Sequence, residues 1–232
     1  MRNHLAVLSA GVLAIGASGT SGAEALNGGF SVYSDVAFTS NYVFRGVTEN
    51  DEEPAVQGTI EFGHDSGFYA GVWGSSGAAE SGFGIELGPY VGYGFAITPE
   101  LDGDVGVYHY HFSEDTDDDF TEVYAGLARD FGVVEGDLYV HFSNDYLGDA
   151  VSTSSENSVY VETHWTAPLG AGFYAMARAG YLDVDFDEAD LDGYEWGVGA
   201  GYGYETLDLN VLVVDQEEAS DTQVAVTLSR AF

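Results

Sequence analysis

No cysteine and no lysine occur among the 232 residues, and the five basic residues, all arginine, stand against 39 Asp and Glu. Without thiols there are no disulfides, no cysteine nucleophiles and no Cys-bound metal. The scarcity of positive charge, a formal net charge of −34, excludes nucleic acid and other phosphate polyanions as partners, because they would be repelled. Long apolar runs are also missing. After the N-terminal segment no stretch approaches the roughly 20 apolar residues that a membrane helix needs. A membrane protein of this sequence must therefore cross by strands closed into a barrel.

What is present begins with Arg2, an apolar stretch over 5–17, and small residues through Ala23 and Ala25. That is the layout of a cleaved secretory signal. Ser21-Gly22-Ala23 and Ala23-Glu24-Ala25 both satisfy the small-x-small rule, so cleavage after 23 or after 25 stays open. The expected organisation is a signal over 1–23 and one domain over 24–232. Aromatic residues make up 14% of the chain and there are 32 glycines, a composition that separates it from aromatic-poor acidic disorder. The surplus carboxylates call for water and dissolved cations. A salty habitat and a cation-attracting vestibule both fit.

Period-2 alternation dominates from Phe30 onward. Over 30–45, Phe30, Val32, Val36, Phe38, Tyr42 and Phe44 oppose Ser31, Asp35, Thr39, Asn41 and Arg45, which predicts one strand with an oily and a wet face. Val56, Ile60 and Phe62 oppose Gln57, Thr59 and Glu61. Leu138, Val140 and Phe142 oppose Asp137, His141 and Ser143. Val159, Val161 and Trp165 oppose Tyr160, Glu162 and His164, and Tyr194, Trp196 and Val198 oppose Glu195 and glycines. The faces of 68–75 and 101–112 are mixed. Strand candidates start near Phe30, Ala55, Phe68, Ile85, Leu101, Phe120, Gly136, Ser158, Phe173, Gly193, Leu207 and Asp221, about twelve in all.

Short connections near 63–67, 97–100, 132–135, 168–172 and 204–206 alternate with longer, mostly acidic or Ser/Gly-rich ones. The expectation is an all-β, transmembrane, antiparallel up-and-down barrel with short periplasmic turns and longer acidic extracellular loops. Such a barrel belongs in the outer membrane of a Gram-negative bacterium, with outer-membrane lipid as its surroundings. The last strand carries Val224, Val226, Leu228 and Phe232 on one face, with Arg230 within reach of headgroups. A strand ending on Phe232 resembles the segment that the barrel-assembly machinery recognises. Strand parity turns Asp35, Asn41, Arg45, Gln57, Glu61, Glu86, Glu122, Glu162, Arg178 and Glu195 inward as pore-lining candidates.

Several groups could carry chemistry. His141-Phe142-Ser143-Asn144 is similar to the His-x-Ser-Asn element of outer membrane phospholipase A, with Asn157 as the nearby candidate to orient the His. That enzyme needs its nucleophile on the lipid face, whereas parity puts His141 and Ser143 on the wet one, so no catalytic residue is assigned. His109 and His111 share a strand face and could chelate a metal with a nearby carboxylate. Two imidazoles are an incomplete set, so an interfacial aromatic belt beside Tyr108, Tyr110 and Phe112 is expected instead, with no metal and no cofactor. The run 183–192 starts like a calcium loop at Asp183, Asp185 and Asp187 but lacks the turn glycine and the closing Glu. The glycines 197, 199, 201 and 203 sit inside a strand, leaving room in the lumen or under a neighbouring aromatic.

The run Asp35-Val36-Ala37-Phe38-Thr39-Ser40-Asn41-Tyr42-Val43-Phe44-Arg45-Gly46, followed by Pro54-Ala55-Val56-Gln57-Gly58 and Gly67-Phe68-Tyr69-Ala70-Gly71-Val72-Trp73, resembles the Gcw_chp family, also called TorF-family porins. The resemblance implies a proteobacterial outer-membrane barrel acting as a channel, with no substrate established. It marks Asn41, Arg45 and Gln57 as characteristic positions without assigning them roles. The expected function is passive diffusion of small hydrophilic solutes with a preference for cations, since inward carboxylates outnumber inward arginines. A phospholipase-like enzyme using His141 and Ser143 and a noncatalytic structural or adhesive barrel are the alternatives.

Overall fold

The computed structural model describes residues 23–77, 84–114, 116–148, 156–185, 192–217 and 221–232. The expected signal segment and most of the acidic run 183–192 lie outside the described residues. Alternating apolar and polar residues punctuated by Gly, Asp and Ser form antiparallel strands: β1 Glu24–Ala25, β2 Phe30–Thr39, β3 Val43–Phe44, β4 Val47–Thr48, β5 Ala55–His64, β6 Phe68–Ser76, β7 Ile85–Thr98, β8 Leu101–Phe112, β9 Phe120–Asp130, β10 Glu135–Ser143, β11 Ser158–Gly170, β12 Phe173–Val184, β13 Gly193–Tyr204, β14 Leu207–Gln216 and β15 Gln223–Ala231. Among the described residues no helix is long and apolar enough to cross a membrane.

Twelve strands, β2 and β5 to β15, pair with their neighbours in chain order, and β15 returns to β2 to close the ring. Closure satisfies the backbone groups that an open sheet would leave bare in lipid. The seam is short. Residues Asp35 to Thr39 of β2 face Ala231 to Thr227 of β15, whereas β5 pairs with the whole length of β2. The two-residue β1 pairs with Val32 and Ser31 lower on β2, and the Phe232 amide donates to the Ser34 carbonyl at 2.9 Å.

Sidedness is that of a membrane barrel. Phe62, Phe68, Val91, Leu127, Trp196 and Leu228 are exposed on the outer wall, while Glu61, Glu86, Asp104, Glu122, Glu162, Glu195 and Asp208 are buried inside it. A soluble barrel would reverse this. Near the short turns the wall carries an aromatic girdle, with ring centroids 4.8 Å apart for Phe68 and Tyr93, 5.8 Å for Phe131 and Trp165 and 4.9 Å for Phe173 and Tyr202, as expected at a bilayer interface. Arg129 and Arg230 stack over Phe131 and Phe232 in the same belt, each 5.0 Å from the ring centroid. The mixed faces of β6 and β8 resolve simply. Tyr69, Trp73 and Ser75 point inward on β6, and Asp104, Tyr108 and Tyr110 do so on β8. Tyr108, Tyr110 and Phe112 therefore form no interfacial belt: the first two are buried in a lumenal aromatic cluster and Phe112 packs against it.

The first strand is shorter than its alternation predicts. It ends at Thr39, and the loop that follows folds inward, with Asn41, Tyr42, Val43, Arg45 and Asn50 buried while Asp51 to Pro54 stay exposed. Tyr42, expected toward lipid, is buried inside, and Phe44 packs against lumenal clusters.

Candidate functional site

The inserted loop is a hairpin. β3 and β4 pair through Val43↔Thr48 and Phe44↔Val47, joined by the two-residue turn Arg45-Gly46 with φ of 46° and 87°, the positive-φ pair of a type I′ hairpin. At Gly46 the requirement is steric as well. A Cβ there would sit 2.7 Å from Cβ of Gln216 and 3.1 Å from Cβ of Glu195.

Nearly every side chain of the Thr39-to-Gly46 run fixes this hairpin in place. The Thr39 hydroxyl donates to the Asn41 carbonyl at 2.8 Å. The Ser40 hydroxyl accepts the Val226 amide at 2.9 Å. Asn41 donates to Oε1 of Gln223 at 2.8 Å and accepts from the Thr48 hydroxyl at 2.7 Å. The Tyr42 hydroxyl donates to Glu86 at 2.8 Å, its ring 5.6 Å from Trp73. Val43 is buried with Tyr174, Met176, Leu212 and Val214. The run is thus packed inside the lumen.

Arg45, at the hairpin tip, donates to Glu122 of β9, its Nη2 lying 2.7 Å from Oε1 and 2.8 Å from Oε2. Its guanidinium lies 4.1 Å from the Tyr160 centroid, 4.7 Å from Phe44 and 5.3 Å from Tyr146. The charges continue along the inner wall. His141 has Nδ1 3.5 Å from Glu122 and Nε2 3.0 Å from Glu162. Arg178 bonds Glu195 and lies 3.9 Å from Glu162. His164 lies 3.4 Å from Glu162 and 3.0 Å from Asp137. Such a network holds together only while each charge keeps its partners, because a buried unpaired charge costs several kcal/mol.

In the loop itself, burial pushes the Glu49 carboxyl up to about 7, against the opposing charge of Arg45. Burial likewise raises the Tyr42 and Tyr146 phenols, so both remain neutral. Tyr146 arrives from the segment after β10 and packs its ring 5.3 Å from Phe120.

Toward the short turns the lumen changes character. Here carboxylates meet phenols. Tyr69 donates to Asp104 at 2.8 Å, Tyr90 to Glu61 at 2.8 Å and Tyr174 to Asp208 at 2.8 Å. Inward glycines make room for these rings. A Cβ on Gly88 would fall 1.7 Å from the Tyr108 hydroxyl, on Gly126 2.2 Å from Tyr139, and on Gly201 2.2 Å from Tyr174, as the glycine pattern of the final strands predicts. Of the arginines within the described residues, Arg129 and Arg230 are on the outer belt, which leaves Arg45 and Arg178 inside.

Of the ten candidates, Glu61, Glu86, Glu122, Glu162, Arg178 and Glu195 are buried on strands, Asn41 and Arg45 are buried in the inserted loop, and Asp35 and Gln57 are half-buried on β2 and β5. Glu122, Glu162, Arg178 and Glu195 join around the hairpin tip, Glu86 meets Tyr42, and Gln57 donates to the Ser75 hydroxyl at 3.3 Å. Sequence parity missed Asp104 and Asp208. The tyrosines beside Asp104 blur polarity alternation in β8, and Asp208 lies at the very start of its strand. The His141 and Ser143 pair does not assemble a nucleophile and base: both imidazole nitrogens face carboxylates, the Ser143 hydroxyl accepts the Asp145 amide at 3.1 Å, and Asn157 bonds Asp185 through its backbone carbonyl.

Known structures share this architecture. The KdgM porin, solved in complex with disordered oligogalacturonate, superposes with a TM-score of 0.60 at 9% identity, covering 87% of this chain and 99% of that one. The NanC porin gives 0.58 at 10% identity, with 87% and 98% covered. An outer membrane channel from Pseudomonas putida F1 gives 0.51 at 13% identity, with 90% and 97% covered. At these identities the likeness is one of fold. No curated protein is detectably similar in sequence. The sequence profile of Gcw_chp, described as a bacterial protein of unknown function, matches residues 23–230, and the chain belongs to that family.

Proposed function

We propose that this protein is an outer-membrane channel for small hydrophilic solutes, that it prefers cations, and that the hairpin at 40–54 is its internal gate. The observation that carries the reading is the inner wall of the short-turn half, where Glu61, Asp104 and Asp208 are met by tyrosine hydroxyls and both inward arginines lie elsewhere. A wall with fixed carboxylates and no guanidinium concentrates cations and repels anions. A carboxylated oligosaccharide of the kind bound by the KdgM porin would be repelled there.

Planar-bilayer recordings in a KCl gradient are expected to give a reversal potential of cation-selective sign. The triple substitution Glu61→Gln, Asp104→Asn and Asp208→Asn should move it toward zero. An anion-selective sign in the parent protein overturns the preference. Absence of conductance in both the parent and a variant with an unseated loop overturns the channel, and absence of phospholipid hydrolysis as well leaves a noncatalytic structural barrel.

The loop also predicts a pH dependence. Glu49 has its carboxyl raised from 4.5 to about 7 when seated, so the seated state binds a proton that a solvated loop would release. Its contribution to seating is complete below the solvated value and is lost as pH rises through about 7. Open probability should increase from pH 5 to pH 8, and Glu49→Gln should flatten the rise. A fall in open probability over that interval contradicts the assignment.

A further inference from the structure

The outer wall carries a polar cluster that neither the lumen nor the plug uses. On β8 the outward column runs Val105, Val107, His109, His111, and so passes from apolar residues to two imidazoles as the strand reaches the long-loop rim. The connection to β9 then folds back through a single turn of 3-10 helix, Thr116–Asp118, and brings Asp119 over the pair. Asp119 Oδ2 lies 2.7 Å from His111 Nδ1 and 3.9 Å from His109 Nε2, and one ligand atom from each residue falls within 4.8 Å of the other two.

The orientation of two of these three groups is set from outside the cluster. His109 uses Nδ1 on the Thr121 hydroxyl, 2.9 Å away on β9, which leaves Nε2 pointing at Asp119. The carboxylate uses Oδ1 to accept the Phe112 amide at 2.8 Å, which leaves Oδ2 for the centre. His111 presents Nδ1. Two of the three ligands, His109 and Asp119, are thus held through their far atom by a neighbour, the second-sphere arrangement typical of imidazole and carboxylate metal sites. A tetrahedral ion with bonds of about 2.0 Å needs ligand atoms about 3.3 Å apart, and the observed 2.7 and 3.9 Å bracket that value. Small side-chain rotations suffice.

We propose that His109, His111 and Asp119 form a binding site for one borderline transition-metal ion, Zn2+ in the first instance, on the outer wall of the barrel at its long-loop rim. Two imidazoles and one carboxylate suit zinc and its first-row neighbours, whereas calcium and magnesium take all-oxygen sets. Three protein ligands leave a coordination position open at the membrane surface. The sequence alone pairs the two histidines but not Asp119, which reaches them through the turn at Thr116–Asp118. The site is independent of transport and of the plug.

The test is calorimetric titration of Zn2+ into the untagged, chelator-stripped full barrel in detergent, with folding of every variant checked by heat-modifiable migration in SDS gels. One saturable equivalent is expected. His111→Ala should abolish it, and Thr121→Val, which removes no ligand, should weaken it about tenfold or more. His64→Ala, altering a histidine at the opposite rim bonded to Ser66, should leave it unchanged. Diffuse binding by the acidic loops, insensitive to His109→Ala and His111→Ala together, overturns the proposal, as does the lack of any saturable equivalent.

Discussion

Arg45→Ala should raise single-channel conductance, or the fraction of time spent open, more than any other single change in the chain. The substitution removes the contact to both Glu122 oxygens at 2.7 and 2.8 Å and the cation seated 4.1 Å from the Tyr160 ring. It also leaves Glu122, fully buried, without its guanidinium. Removing one partner of a buried ion pair costs about 3–5 kcal/mol. Seating of the hairpin is the step that bears this cost, because the barrel wall forms its own ladder without the loop. At about 1.4 kcal/mol per tenfold, the seated population should fall by more than about a hundredfold. Glu122→Gln should act in the same direction with a smaller effect, since an amide still accepts from the guanidinium. Recordings of Arg45→Ala that match those of the parent protein, with the loop equally resistant to protease, would remove the hairpin from the permeation path.

The largest loss of stability is expected from Gly88→Val. The first added carbon would lie 1.7 Å from the Tyr108 hydroxyl, and that ring has nowhere to go. It is stacked 5.8 Å from Tyr90 and packed 4.5 Å from Tyr110, with only 2% of its surface exposed. Overpacking of a filled interior costs about 1–3 kcal/mol, and here the clash is with a ring that several neighbours hold. The control is Gly94→Ala, where nothing lies within 4 Å of the new carbon. Urea midpoints should separate the two variants clearly, with Gly94→Ala close to the parent. Equal midpoints would mean that the tyrosines swing freely and that the lumen is looser than its packing.

Much of the barrel is written in its outer face. Leu138, Val140 and Phe142 alternate with Asp137, His141 and Ser143 because lipid accepts only apolar side chains while the interior accepts carboxylates, and that contrast survives in the sequence as a clean period of two. The contrast fails where the interior is itself aromatic. Tyr108 and Tyr110 look as oily as their outward neighbours, so β8 loses its sidedness on paper. The same ambiguity carried the predicted first strand past Thr39. Tyr42 and Phe44 keep the even-numbered apolar rhythm of β2, yet they bury against Trp73 and Tyr110 rather than lipid. Burial in a lumen and burial in a bilayer ask for similar side chains. What distinguishes them is Gly46, whose left-handed backbone next to Arg45 marks a turn instead of a continuing strand. Asp104 is missed for the same ambiguity in β8, and Asp208 because it stands at the start of its strand; their tyrosine partners on other strands are a relation that only the register between strands reveals.

The seam between β2 and β15 sets an order of assembly. The hairpin follows β2 directly, at the start of the chain, but its anchors reach the other end: Asn41 bonds Gln223, 182 positions later, and Ser40 accepts the Val226 amide. Neither contact can exist until the final strand has arrived. The contacts of Tyr42 to Glu86 and of Arg45 to Glu122 reach β7 and β9 instead and need no final strand. The event that joins the first wall strand to the last therefore also adds the base of the hairpin to an attachment that its tip makes independently.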